Sequence, residues 1–144
     1  MNGQSDLEKF GLDTSVVLRL IVGEPVDQME TAYDFVSALC DSGEPPMISD
    51  LTICETYFAA WQHYNVPKPL ALEKLCQLLE SGKVVPEHDS RVLDVIKILK
   101  SSSNKPGFVD RLIHAQYRQA SRQLVTFEKA SKRLVGTRVL KAAK

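Results

Sequence analysis

The 144-residue sequence contains no CxxC pair, no glycine-rich phosphate loop, no DxD pair of neighbouring aspartates and no apolar run near the ~20 residues that span a bilayer. Its first residues, MNGQSDLEKFGLD, lack the basic stretch and apolar core of a secretory signal. These gaps lead to the expectation of a cytoplasmic protein with no membrane segment. They also disfavour an acid-lined phosphatase or signalling receiver, which needs a second acid beside the first strand's aspartate. Three cysteines, Cys40, Cys54 and Cys76, leave an odd thiol under any pairing and fall in helical patterns, so they read as reduced packing residues.

Net charge is lacking too, since 18 basic and 18 acidic residues cancel. The cancellation conceals an uneven distribution. Residues 1 to 96 hold 6 Lys+Arg against 16 Asp+Glu, a net −10, whereas residues 97 to 144 hold 12 against 2, a net +10. Two readings of the basic third remain open: attraction to phosphates or an acidic partner, or mutual neutralisation of the two parts in the fold. The two acids within the basic third are Asp110 and Glu128.

Length and composition, with 44% hydrophobic and 25% charged residues, fit one globular domain, 1–144. The pattern along it alternates short apolar strands with helices. Phe10 to Leu12 is a strand candidate ending at Asp13, with Thr14 and Ser15 available to cap the helix VVLRLIVG, which Gly23 and Pro25 stop. A helix is expected from about Val26 to Asp41, then a loop through Pro45-Pro46. Met47-Ile48 is a short strand, Ser49 or Asp50 a cap, and LTICETYFAAWQHY a helix. Pro67 opens a further helix with an apolar side of Leu70, Leu72, Leu75, Leu78 and Leu79. Val84-Val85 reads as a strand, Asp89 to Lys100 as a helix, Ser101 to Asn104 as a loop and Gly107 to Ala120 as a helix. Gln123 to Phe127 and Val139-Leu140 complete the strands. Parallel strands need crossovers, and crossovers bring helices, so the expected fold is a three-layer α/β/α sandwich with a mostly parallel central sheet. Ligands in such folds gather beyond the carboxyl ends of strands, where Asp13 and Glu128 fall.

Glu55 stands on a stripe with Leu51, Phe58 and Ala59, so the spacing predicts a carboxylate on an apolar helix face. A buried, unpaired charge there costs several kcal/mol, so the group requires a cation, a salt bridge or a place at the stripe's edge. Asp13 and Asp110, each near a helix start, have cap or dipole roles open to them, and Glu128 has that of a turn acid. Taken together the four acids are candidate ligands for a hard divalent ion, because clustered carboxylates ionise together only around positive charge.

Four segments, FGLDTSVVLRLIVGEP, SDLTICETYFA, GFVDRLIHAQYRQ and LVTFEKASKRLVGTRVL, resemble in order the motifs of PIN domains, from about Phe10 to Leu140. The resemblance implies that Asp13, Glu55, Asp110 and Glu128 are the metal-binding, catalytic carboxylates, with Thr14 and Thr126 as polar neighbours and Mg²⁺ or Mn²⁺ as cofactor. It implies an endoribonuclease that hydrolyses RNA phosphodiesters with a metal-activated water. Compact one-domain members resemble VapC toxins, which implies a VapB-like antitoxin as partner and a homodimer. Two positions depart from the pattern: the fourth acid is commonly aspartate and here is Glu128, and many relatives carry an acid where this chain has Gly107. These departures motivate an alternative, a catalytically weakened PIN domain that binds RNA or protein.

Around these motifs, Lys129, Lys132 and Arg133 follow the last acid and are candidate contacts to the RNA backbone, with solvated charge as the plainer alternative. His63, His88 and His114 are scattered and read as surface or packing residues, His114 lying one turn after Asp110. Tyr57, Phe58 and Trp61 read as core or dimer surface.

Overall fold

A computed structural model describes residues 9–88, 91–101 and 105–142, and the described parts fall into two compact units, within Met1–Asp89 and Ser90–Lys144. In the first unit, helices α1 (Thr14–Val22) and α2 (Val26–Asp41) precede β1 (Met47–Ile48), followed by α3 (Asp50–His63), α4 (Lys68–Glu80) and β2 (Val85–Pro86). The second unit runs α5 (Arg91–Ser101), α6 (Phe108–Gln119), β3 (Leu124–Thr126), a 3-10 helix (Lys129–Arg133) and β4 (Thr137–Val139).

Every described strand pairing is parallel. In the first unit β1 lies between two neighbours: it pairs with β2 in the register Met47 to Val85, and Gly11 forms a parallel bridge to Met47. The amide of Leu12 donates to the Met47 carbonyl and that of Met47 to the Phe10 carbonyl, both at 2.9 Å, so the expected first strand is reduced to one bridge. In the second unit β3 pairs with β4 from Leu124 to Thr137 through Thr126 to Val139. The central sheet expected from sequence is therefore present as two short parallel pairings, each described within its own unit.

Local chemistry sets the helix ends. Gly23 adopts φ 80°, the left-handed conformation that costs glycine least, and its N–H returns to the Arg19 carbonyl at 3.0 Å. The Ser49 hydroxyl accepts from the Thr52 amide at 3.1 Å, capping α3 as expected. The expected helix start at Asp89 and the loop at 102–104 lie outside the described residues; the described helix begins at Arg91 and runs to Ser101.

The core of the first unit joins Val17, Leu18 and Ile21 of α1 to Ile53, Tyr57 and Ala60 of α3, and to Ala71, Leu75, Cys76 and Leu79 of α4, with Ile48 of β1 fully buried. Full burial of each large aliphatic side chain contributes roughly 1.5–3 kcal/mol. α3 corrects the sequence expectation: its buried stripe is Ile53, Thr56, Tyr57 and Ala60, while Leu51 is 72% exposed and Glu55 and Phe58 face solvent. Both sides of this helix carry apolar residues, and periodicity alone does not choose between them. The buried Thr56 hydroxyl costs little because it donates to the Thr52 carbonyl at 2.7 Å. On α4, Leu70 is likewise outside the core and Ala71 inside it. The second unit buries Val92, Val95, Ile96 and Leu99 of α5 with Phe108 and Leu112 of α6. No described helix is long and apolar enough to cross a membrane.

Candidate functional site

Asp13 is the N-cap residue of α1, yet its carboxylate makes no capping bond. Its backbone carbonyl takes the amides of Val16 and Val17 at 3.0 and 3.1 Å, and the exposed side chain accepts from the Ser15 hydroxyl at 3.3 Å. The next residue reaches across the unit: the Thr14 hydroxyl donates to Glu55 Oε1 at 3.0 Å. The packing of α1 on α3 thus places the second candidate acid beside the helix start that carries the first. Thr14 and Ser15, expected to cap the helix, instead each bind one of the two acids. Glu55 is not the buried charge that the stripe implied; it is an exposed carboxylate steadied by a hydroxyl from the neighbouring helix.

The other two candidates lie in the second unit. Asp110 is exposed in the first turn of α6, whose N-cap is Gly107. Glu128 is exposed at the N-cap position of the 3-10 helix and makes no side-chain capping bond. Its backbone amide donates to the Thr126 hydroxyl at 3.0 Å, so Thr126 fixes the turn at which β3 delivers the acid. All four carboxylates offer hard oxygen donors and are exposed, a chemistry that fits Mg²⁺ or Mn²⁺ better than softer ions.

A separate grouping escaped the sequence reading. Asp50, only 4% exposed, approaches the His88 ring at 3.1 Å (Nδ1 to Oδ2), and Glu87 Oε1 lies 3.9 Å from the same nitrogen. One donor atom from each of the three lies within 4.8 Å of the others, near enough to share a metal ion. Glu87 also accepts from the Asp50 amide at 3.0 Å, which supports the start of α3 directly. The residues sit just beyond β1 and β2, so the parallel pairing brings them together; a separation of 37 positions between Asp50 and Glu87 hides it from the sequence.

The remaining candidates resolve individually. Lys129 and Lys132 are exposed, while Arg133 Nη1 donates to the Lys105 carbonyl at 3.2 Å. A His114 ring nitrogen bonds the Val135 carbonyl, which gives the ring a structural partner. Tyr57 is buried, Phe58 exposed, and Lys68 Nζ sits 4.4 Å from the centre of the Trp61 ring. None of the three cysteines is in a disulfide, and burial, with the Asp50 charge adding to it, pushes the Cys54 thiol up to about 11, as suits a packing residue.

Searches of curated proteins and of solved structures found no match. The family model described as PIN domain matches residues 11–136, a span that takes in all four motifs and all four carboxylates. PIN domains are three-layer α/β/α folds and in general metal-dependent nucleases using divalent ions, and the parallel pairings here accord with that architecture. With most of its length matched, the chain belongs to the PIN-domain family.

Proposed function

We propose that this protein is a Mg²⁺- or Mn²⁺-dependent endoribonuclease in which Asp13, Glu55, Asp110 and Glu128 are the metal-binding carboxylates, and that residues 1–144 act as one PIN domain. The observation that carries this reading is the Thr14 to Glu55 hydrogen bond, which links the aspartate segment to a glutamate more than 40 positions away. A divalent ion, when bound, supplies the charge that activates a water and neutralises the phosphoryl oxygens. The chain's own residues do the positioning. Ser15 and Thr14 limit the rotamers of Asp13 and Glu55, so their oxygens are held in place before any ion arrives. Thr126 accepts from the Glu128 backbone amide and so holds the turn that carries this acid, and Lys129 and Lys132 meet the RNA backbone. In its biological role the protein is a VapC-like toxin, homodimeric, cytoplasmic and restrained by a VapB-like antitoxin.

The test is cleavage of labelled RNA in Mn²⁺ by the wild type, Asp13→Asn and His88→Ala. Activity that disappears in EDTA and in Asp13→Asn but persists in His88→Ala supports the assignment. Loss in His88→Ala with retention in Asp13→Asn moves the catalytic ion to the Asp50, Glu87 and His88 grouping. Inactivity of the wild type and Asp13→Asn alike, with RNA still bound, favours the weakened, binding-only PIN domain.

A further inference from the structure

Phe127 lies between Thr126, at the end of β3, and the acid Glu128, and sequence reading treats it as a strand residue. In the structure it is 67% exposed, the most exposed aromatic ring among the described residues. Phe127 and the nearby Val125, 57% exposed, put apolar surface in solvent beside a candidate carboxylate. Val125 and Arg138 are register partners on β3 and β4 and are both exposed, so they share one outer face of the pair, and the exposed Phe127 follows in the bend just after β3. Lys129 and Lys132 follow on the 3-10 helix, also exposed. None of Arg138, Lys129 and Lys132 has a carboxylate oxygen within 4.0 Å among the described residues of its own unit.

We propose that Phe127 is a base-stacking platform for single-stranded RNA, with Arg138 and Lys129 taking flanking phosphates. This rests on the ribonuclease reading and deepens it. An exposed ring among exposed cations is the combination single-stranded nucleic acid uses: the ring stacks on a base and the cations follow the backbone. A protein partner matching the exposed Val125 and Phe127 alone leaves the positive charge without a counterpart; between an acidic protein and a nucleic acid, the flat ring beside the cations favours the one that offers bases to stack as well as phosphates. Because Phe127 adjoins Glu128, the stacked base belongs to a nucleotide at or next to the phosphate to be cut, which makes the ring a determinant of where cleavage falls. Stacking tolerates every base, so the preference it creates is for unpaired RNA over duplex.

The test is fluorescence anisotropy with a labelled, mixed-sequence single-stranded RNA and its duplex, in the Asp13→Asn protein so that no cutting intervenes. Phe127→Ala is expected to weaken single-strand binding by about 5- to 150-fold with little change in salt dependence. Phe127→Trp should retain or improve it. Arg138→Ala is expected to lower the slope of log K against log salt by about 0.7. Single-strand binding equal in Phe127→Ala and its parent, or lost equally in Phe127→Ala and Phe127→Trp, overturns the stacking role. Phe127-dependent self-association in a protein that binds no RNA also overturns it, in favour of a protein partner. The ribonuclease reading is judged separately, by metal-dependent cleavage in the wild type: cleavage with Phe127-independent binding defeats only the platform, and Phe127-dependent binding without cleavage defeats only the nuclease.

Discussion

The hydroxyl of Thr14 donates to Oε1 of Glu55 at 3.0 Å, joining the start of α1 to an exposed face of α3. Hydrogen bonds to metal-binding carboxylates orient their oxygens, and removing such a partner typically costs about 10–100-fold in metal affinity or activity. Thr14→Ala is accordingly expected to lower both Mn²⁺ affinity, by calorimetry, and cleavage rate within that range. Thr14→Ser retains the donor and should stay near wild type; equal loss in both variants points to packing of the methyl group in place of the hydroxyl.

Removing charge from the carboxylates should separate binding from stability. Asp13 and Glu55 are exposed, so Asp13→Asn and Glu55→Gln are expected to change metal-free stability by no more than about 0.5 kcal/mol. Mn²⁺ at about 100 times its Kd should stabilise the wild type by about 2.7 kcal/mol, a gain largely absent from both variants. Thermal melts with and without Mn²⁺ measure both quantities, and an undiminished metal-induced rise in Asp13→Asn places the ion elsewhere.

The two sides of α3 make opposite predictions. Ile53 is 0% exposed, and Ile53→Ala should cost about 2–5 kcal/mol. Leu51→Ala, on the solvent side, should fall within about 0.5 kcal/mol of wild type. Urea titrations compare them directly, and a reversed order would return the core to the Leu51, Glu55 and Phe58 stripe.

Cys54 should resist alkylation. Its thiol is raised from an ordinary 9.0 to about 11 by burial first and by the Asp50 charge second. A raised folded value means that the contribution to stability is complete below pH 9 and declines as pH climbs through 11, since the fold disfavours the thiolate. Iodoacetamide labelling of the native protein, read at Cys54 by mass spectrometry, should therefore remain slow at pH 8 and accelerate toward pH 11. Rapid labelling at neutral pH is the contrary result.

Much of the element order was legible because it rests on local chemistry. The helix Val26–Asp41, the strand Met47–Ile48, the Ser49 cap and the stop at Gly23 follow from turn residues and periodicity within a few positions of each other. The 3-10 helix at Lys129–Arg133 was not anticipated, since five residues with two apolar-compatible positions give no periodic signal. The role of Asp13 was equally open, because an aspartate ahead of a helix is ordinarily a cap; in the structure its carboxylate makes no capping bond and accepts from Ser15.

By itself the sequence determined the family motifs, the candidate acids and the separation of negative and positive charge, all of which are properties of residue type and spacing. Tertiary structure alone decided which face of α3 is buried, that Thr14 reaches Glu55, that Asp50 meets Glu87 and His88, and that Phe127 stands in solvent. The physical reason is one of range. Capping and periodicity act over a turn or two of chain, whereas burial and side-chain contact depend on which distant element packs opposite, and a helix apolar on both sides or a phenylalanine at a strand's end is compatible with either outcome until that packing is formed.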